Sequence, residues 1–234
     1  AYDRGTNIFS PDGRLYQVEY AREAVKRGTP SVGVAVDDGI VLAADKRIRS
    51  KLMETDTVEK LHEIDDHIGA ATAGHAADAR QLVDYARRRA QGERLRYDEP
   101  LDVQTLAKDI TDKVQEFTQK GGTRPFGAAL LIGGVWNGES YLYEADPSGT
   151  PYSWKATAIG SGRDDIQDYL EDHYSPELDL QGAIDLVAEA LAATDSELAA
   201  ESLDIATIDA ESGQYRELSD EEIADVVAEL EAGA

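Results

Sequence analysis

Apolar residues recur along this chain with two periods, and the switches between them outline its elements. Leu15, Val18, Ala21 and Val25 are spaced as on one face of a helix, and Gly28 is a suitable stop. Val32, Val34 and Val36 then alternate as in a strand, and Asp37-Asp38-Gly39 turns the chain into a second strand, Ile40–Ala44. Ile64–Thr72 reads as further strand. Helices are predicted over about Ala76–Gln91 and Leu101–Lys120, the second with Val103, Leu106, Ile110, Val114 and Phe117 on one face. Strands resume over Gly127–Val135, Ser140–Glu144 and Tyr152–Ile159. Two more helices follow, Arg163–His173 and Leu180–Ala193. Leu203–Ile208 and Gln214–Leu218 form a closing hairpin, and Asp220–Leu230 is a last helix carrying Ile223, Val226, Val227 and Leu230.

Clusters of strands separated by pairs of helices indicate an α+β protein rather than βαβ alternation. Two sheets packed face to face, with helices outside each, would bury every apolar stripe. The chain has no Pro/Ser linker and no repeat at a solenoid period. It divides into an N-terminal segment with the first helix, residues 1–28, and a single domain, residues 29–234.

Composition narrows the function classes. The 234 residues carry 47 acidic and 23 basic side chains, a formal charge of −24. Nucleic acid and anionic membranes are disfavoured partners, because both require clustered Lys and Arg. No stretch has the roughly 18 apolar residues of a membrane span. The absence of cysteine excludes disulfides, thiol nucleophiles and cysteine-ligated zinc, and fits a cytoplasmic protein. The acids are dispersed and Arg outnumbers Lys, 15 to 8, as expected of a halophile whose cytoplasmic salt screens the self-repulsion.

Most candidate chemistry has a plainer structural reading. His62 and His67 flank Glu63, but a spacing of five places them about 140° apart on a helix, and the segment reads as strand; no metal site is assigned. Gly160-Ser161-Gly162 lies between a strand and a helix, a setting that can hold phosphate, yet Asp164 and Asp165 would repel it, so a tight turn is the better reading. Asp164, Asp165, Asp168, Glu171 and Asp172, like Asp220, Glu221, Glu222 and Asp225, form solvated helix faces.

The N-terminus is more specific. Tyr2-Asp3-Arg4 is followed by Phe9-Ser10-Pro11-Asp12-Gly13-Arg14-Leu15-Tyr16-Gln17-Val18-Glu19-Tyr20-Ala21. This stretch resembles the signature of α-type subunits of the 20S proteasome. The likeness continues in order through Arg22–Gly28, Ala44-Asp45-Lys46-Arg47, Glu59-Lys60-Leu61, Ala73–Arg80, Gly121–Gly127 and Ala158–Gly162, so it covers essentially the whole chain. The acidic composition makes it similar to a haloarchaeal member.

The resemblance implies a four-layer α-β-β-α sandwich of the N-terminal-nucleophile hydrolase-like kind, with no catalytic residue and no cofactor of its own. It implies α-subunit neighbours in a seven-membered ring that caps proteasome β subunits, docks a proteasome-activating ATPase ring and passes unfolded protein substrates. Position by position, Tyr2, Asp3, Arg4, Pro11 and Tyr20 match the gate. Proline presets φ for the reverse turn, and tyrosine supplies stacking area and a hydroxyl. Lys60 matches the lysine that pairs with an activator's C-terminal carboxylate, with Gly28 and Gly74 lining that pocket and Gly13 and Glu19 beside the activator's penultimate side chain. Lys120, Gly121, Gly122, Thr123 and Arg124 match the loop that narrows the channel. Two departures stand out: Ala1 alone precedes the Tyr-Asp-Arg motif, and Lys120 stands where some relatives carry an aromatic.

The competing reading is a catalytic β-type threonine protease processed at Gly28-Thr29, with Asp45 and Lys60 as partners of Thr29. That chemistry needs the free α-amine of the threonine. Here a helix precedes Thr29, and Pro30 constrains it toward extended geometry. A free-standing acidic binding module is a third reading, without a peptide-binding motif to support it.

Overall fold

The computed structural model describes residues 15–47, 52–54, 57–120, 123–194 and 198–233. Among these residues, six α-helices and ten strands follow in the order α1 (Tyr16–Lys26), β1 (Ser31–Val36), β2 (Gly39–Asp45), β3 (Leu61–Asp65), β4 (Ile68–Gly74), α2 (Ala76–Tyr97), α3 (Val103–Gln119), β5 (Ala128–Trp136), β6 (Glu139–Ala145), β7 (Pro151–Trp154), β8 (Ala156–Ile159), α4 (Arg163–His173), α5 (Leu180–Ala192), β9 (Leu203–Asp209), β10 (Tyr215–Glu217) and α6 (Asp220–Gly233). They build two five-stranded sheets, β10-β9-β2-β1-β8 and β3-β4-β5-β6-β7. Every pairing is antiparallel.

Strand alternation sorts the layers. On β1, Val32, Val34 and Val36 meet the α4–α5–α6 layer, while Ala35 faces the second sheet. On β5, Leu130 and Ile132 meet α2 and α3, while Ala129 and Leu131 face the first sheet. A strand covered on both sides alternates one apolar face with another, not apolar with polar. The result is the four-layer α-β-β-α sandwich expected, with three apolar cores stacked between its layers.

Local signals set the joints. Asn137 and Gly138 both take positive φ, 53° and 80°, which a two-residue hairpin between β5 and β6 requires. The Asp102 carboxylate caps α3 by accepting from Thr105 N at 2.9 Å, and Asp179 caps α5 through Gly182 N at 2.7 Å. At the entry to α6, Ser219 N donates to Glu222 Oε2 at 2.8 Å while Ser219 Oγ accepts from Glu222 N at 3.3 Å, a reciprocal capping box.

Three sequence-based boundaries are corrected. Ile64–Thr72 is two strands, β3 and β4, which turn at Asp66-His67. Tyr152–Ile159 is also two strands, divided at Lys155; β7 is an edge of one sheet and β8 an edge of the other. The second helix continues past Gln91 to Tyr97. Among the described residues, no helix is long and apolar enough to cross a membrane.

Candidate functional site

Lys60 enters β3 from a loop, and its backbone carbonyl accepts from Thr72 N of β4 at 3.0 Å. Only 9% of the residue is exposed. Its ammonium donates toward Thr29 O at 2.7 Å, Thr29 Oγ1 at 2.8 Å, Pro30 O at 3.1 Å and Asp45 O at 3.1 Å. An ammonium has three N–H donors, so these four oxygens saturate it. All four are neutral. Asp45 turns its carboxylate away, accepting from Arg47 N at 2.8 Å and from the Arg47 guanidinium at 3.2 Å. Asp204 pairs instead with Lys46 Nζ at 2.8 Å. Burial therefore dominates and pushes the Lys60 ammonium down to about 7, against the opposing fields of Asp45 and Asp204.

Beside this lysine three backbones meet. A Cβ on Gly28 would fall 2.5 Å from Gly74 N, and a Cβ on Gly74 would fall 2.4 Å from Gly127 O. Gly74 also takes φ +103°, a conformation L side chains avoid. Gly28 O accepts from Ser161 N at 2.8 Å, which ties the loop after α1 to the turn before α4. Gly28 and Gly74 thus touch each other, and Gly28 is covalently next to the threonine that holds Lys60.

The first helix buries Val18, Ala21 and Val25. It is pinned by Arg22, which donates to Asp146 Oδ2 at 2.9 Å and to Glu19 Oε1 at 2.9 Å. Glu19 is thus held on the helix surface, one turn before Arg22. Tyr20 is 50% exposed and its ring stacks on Tyr16 at 6.4 Å.

The loop after α3 is fixed at both ends. Thr123 Oγ1 donates to Lys120 O at 2.7 Å and to Phe117 O at 3.2 Å, closing the helix terminus. Arg124 forks onto Asp78, with Nη2 to Oδ1 at 2.8 Å, and Gly127 N donates to the same carboxylate at 2.8 Å. Lys120 is exposed. Tyr2, Asp3, Arg4, Pro11, Gly13, Gly121 and Gly122 lie outside the described residues.

The remaining candidates resolve as structural parts. His67 Nε2 donates to Leu101 O at 2.8 Å and its ring tilts against Trp136. His62 is buried on β3. Gly160 and Gly162 take positive φ at the turn into α4, whose first turn carries Asp164 and Asp165. Sequence reasoning gives no role to Asp78 or Asp146, the anchors of Arg124 and Arg22. Their signal is faint: an acid inside an otherwise small-residue segment, 46 and 124 positions from its partner. Thr29 and Asp45 stand out in the sequence as catalytic partners, whereas the structure makes them part of the oxygen cage of Lys60.

Comparison with known proteins places the chain in a family. A family model described as the N-terminal signature of proteasome A-type subunits matches residues 2–24, and one described as proteasome subunit matches residues 25–208. The proteasome alpha 1 subunit of Haloarcula marismortui is 63% identical over 223 residues, covering 95% of this chain and 86% of that protein. The proteasome alpha 2 subunit of the same organism is 59% identical over 234 residues, covering 100% and 96%. The proteasome alpha subunit of Natronomonas pharaonis is 61% identical over 225 residues, covering 95% and 88%. With an α-specific signature at its N-terminus, relatives named as α subunits along its whole length, and the four-layer sandwich between, the chain belongs to the proteasome α-subunit family.

Proposed function

We propose that this chain is a non-catalytic subunit of a seven-membered α ring, forming the gated entry pore of a 20S particle and docking the C-termini of an ATPase activator at Lys60. The observation that carries the reading is the Lys60 ammonium enclosed by four neutral oxygens, with no carboxylate paired to it among the described residues. An incoming C-terminal carboxylate takes the place of one of these oxygens on the ammonium and supplies the missing counter-charge; a charge-assisted bond of this kind contributes roughly 1.5–3 kcal/mol. Gly28 and Gly74, packed on each other beside it, fix the backbone next to Thr29 and so the cage around the ammonium.

The β-type alternative is the less supported reading at the same atoms. Thr29 Oγ1 sits 2.8 Å from Lys60 Nζ, the pairing a threonine nucleophile would use, but Thr29 N is an amide continuous with α1 and cannot serve as a base. Peptide hydrolysis in the particle is therefore assigned to β subunits.

The test is a particle assembled from this chain and β subunits of the same cell, with and without the ATPase ring, in concentrated KCl. Lys60→Ala should abolish activator-stimulated protein degradation while small-peptide hydrolysis survives. Native mass of the ring controls for misfolding. Equal stimulation of both particles, with rings intact, would remove Lys60 from the docking site. Peptide hydrolysis by this chain alone, lost in Thr29→Ala, would overturn the non-catalytic assignment.

A further inference from the structure

The Lys60 ammonium and the oxygens around it belong to different sheets. Lys60 directly precedes β3, in the second sheet, whereas Thr29 and Pro30 lead into β1 and Asp45 ends β2, both in the first. The cage is therefore closed across the interface between the sheets. That interface is an apolar core, with Ala35 and Ala44 contributed from one side and Ala71, Ala73 and Ala129 from the other. Apolar contact has no preferred direction. By itself it does not align two sheets to the fraction of an ångström that a hydrogen-bonded cage demands.

Ser31 interrupts this apolar face. It is the first residue of β1, fully buried, on the side of the strand that Gly33 and Ala35 continue. A buried hydroxyl is costly unless it is hydrogen-bonded. Ser31 Oγ donates to Thr72 O of β4 at 2.8 Å, across the sheets. Thr72 N in turn donates to Lys60 O at 3.0 Å. In the first sheet, Asp45 N donates to Pro30 O at 3.0 Å, which fixes the end of β2 to the start of β1. These bonds close a ring. It runs from Lys60 Nζ to Pro30 O, along the chain to Ser31, across to Thr72 and back to Lys60 O.

Ser31 makes none of the four bonds to the ammonium. It acts on the strands that carry them. Another polar tie between the sheets, Tyr215 N to Asp66 O at 2.6 Å, lies at the β3–β4 turn, the other end of β4 from Thr72. It leaves the alignment beside Lys60 to the serine. Without the hydroxyl, Thr72 O loses this donor and the sheets settle on apolar contact alone. The cage then loosens and water reaches the ammonium, and relief of burial moves its titration upward, toward the ordinary lysine value.

We infer that Ser31 is a positioning residue of the docking site: by holding Thr72 O, its hydroxyl sets the Thr29 and Pro30 oxygens against Lys60 and keeps the ammonium where an incoming carboxylate meets it. The inference rests on the docking reading above and adds to it a residue that acts through its neighbours.

The test compares α rings of the full-length chain in concentrated KCl as wild type, Ser31→Ala and Thr111→Ala. Thr111 is the control: it is equally buried, and its hydroxyl donates to Ala107 O within α3. Acetylation of Lys60 by acetic anhydride across pH, located by peptide mass, reads the amine without any activator. Anisotropy of a labelled activator C-terminal peptide at pH 6, where the amine is charged, reads docking. Ser31→Ala should raise the labelling midpoint from about 7 and weaken peptide binding about tenfold. Thr111→Ala should lower Tm and leave both readouts alone. Should Ser31→Ala not assemble, Ser31→Cys, with only a weak S–H donor, carries the same comparison. If the wild type binds the peptide and the serine variant binds it equally well, the inference is wrong and the docking reading stands. A change in one readout without the other, or an equal change in Thr111→Ala, reduces the bond to general stability and also overturns the inference. A wild-type ring that binds no peptide removes the docking reading itself, and the inference with it.

Discussion

Arg124 and Asp78 form a forked ion pair that joins the loop after α3 to the first turn of α2, across 46 positions of sequence. Burial alone would raise the Asp78 carboxyl, but Arg124 and the Gly127 N–H outweigh it and hold it below the usual carboxylate range. A carboxylate with a depressed native pKa stabilises the fold above its unfolded value, near about 3.9, and that contribution is lost as pH falls through the native one. Asp78→Ala should cost about 2–3 kcal/mol, because Gly127 N–H and Arg124 both lose their acceptor. Chemical denaturation at pH 7 and at pH 3 measures it, and the difference between variant and parent should shrink at the lower pH.

Docking at Lys60 should weaken above neutral pH. The free ammonium titrates at about 7 because burial outweighs the fields of Asp45 and Asp204. A carboxylate binds the protonated form, so above that value binding must take up a proton and affinity falls by up to about tenfold per pH unit. Anisotropy of a labelled activator C-terminal peptide on the α ring, at constant KCl, reads the profile. Lys60→Arg, which stays charged, should flatten it. The stability term has its own window. The unfolded lysine titrates near about 10.4, so the unfolded chain holds one more proton between there and about 7, and Lys60's contribution to stability rises with pH over that interval.

Gly28→Ala should destabilise by about 3 kcal/mol or more. The added methyl meets the backbone of Gly74, which in turn lies against Gly127 O, so no flexible side chain is available to yield. Thermal unfolding in concentrated KCl measures the loss. Gly92→Ala, in a helix with open space around it, is the matched control and should move Tm the other way.

Dilution of salt should loosen the protein. At a charge of −24, screening lengths that grow from about 3 Å in 1 M salt to about 30 Å in 0.01 M expose each acid to many others. Circular dichroism at falling KCl should show loss of signal, recovered on adding salt. Unchanged spectra in dilute buffer would contradict the halophilic reading.

The fold is legible in the chain wherever the faces of an element differ. The Val103–Phe117 stripe of α3 sits where periodicity puts it because one face alone is packed, and the valines of β1 stand out because the residues between them, on the other buried face, are the smaller Gly33 and Ala35. Periodicity misleads where long-range contacts override local signals. The helix predicted to end at about Gln91 continues to Tyr97, where the Arg89–Glu93 and Arg94–Asp65 pairs hold its last turns. Lys155 reads as one polar residue in a single strand, while pairing to different neighbours divides that strand in two. The site is legible only through resemblance. Composition gives Lys60 no distinction from seven other lysines, and its oxygen cage comes from residues 15, 30 and 31 positions away. No local pattern encodes such a closure.

The division at Lys155 has a mechanical consequence. Pro151–Trp154 closes one edge of the second sheet and, a single residue later, Ala156–Ile159 closes an edge of the first. One short run of backbone is therefore stitched into both sheets, with no slack between the stitches. Sliding one layer past the other along the strands would therefore tear β7 or β8 from its ladder, so this junction locks the register of the two sheets.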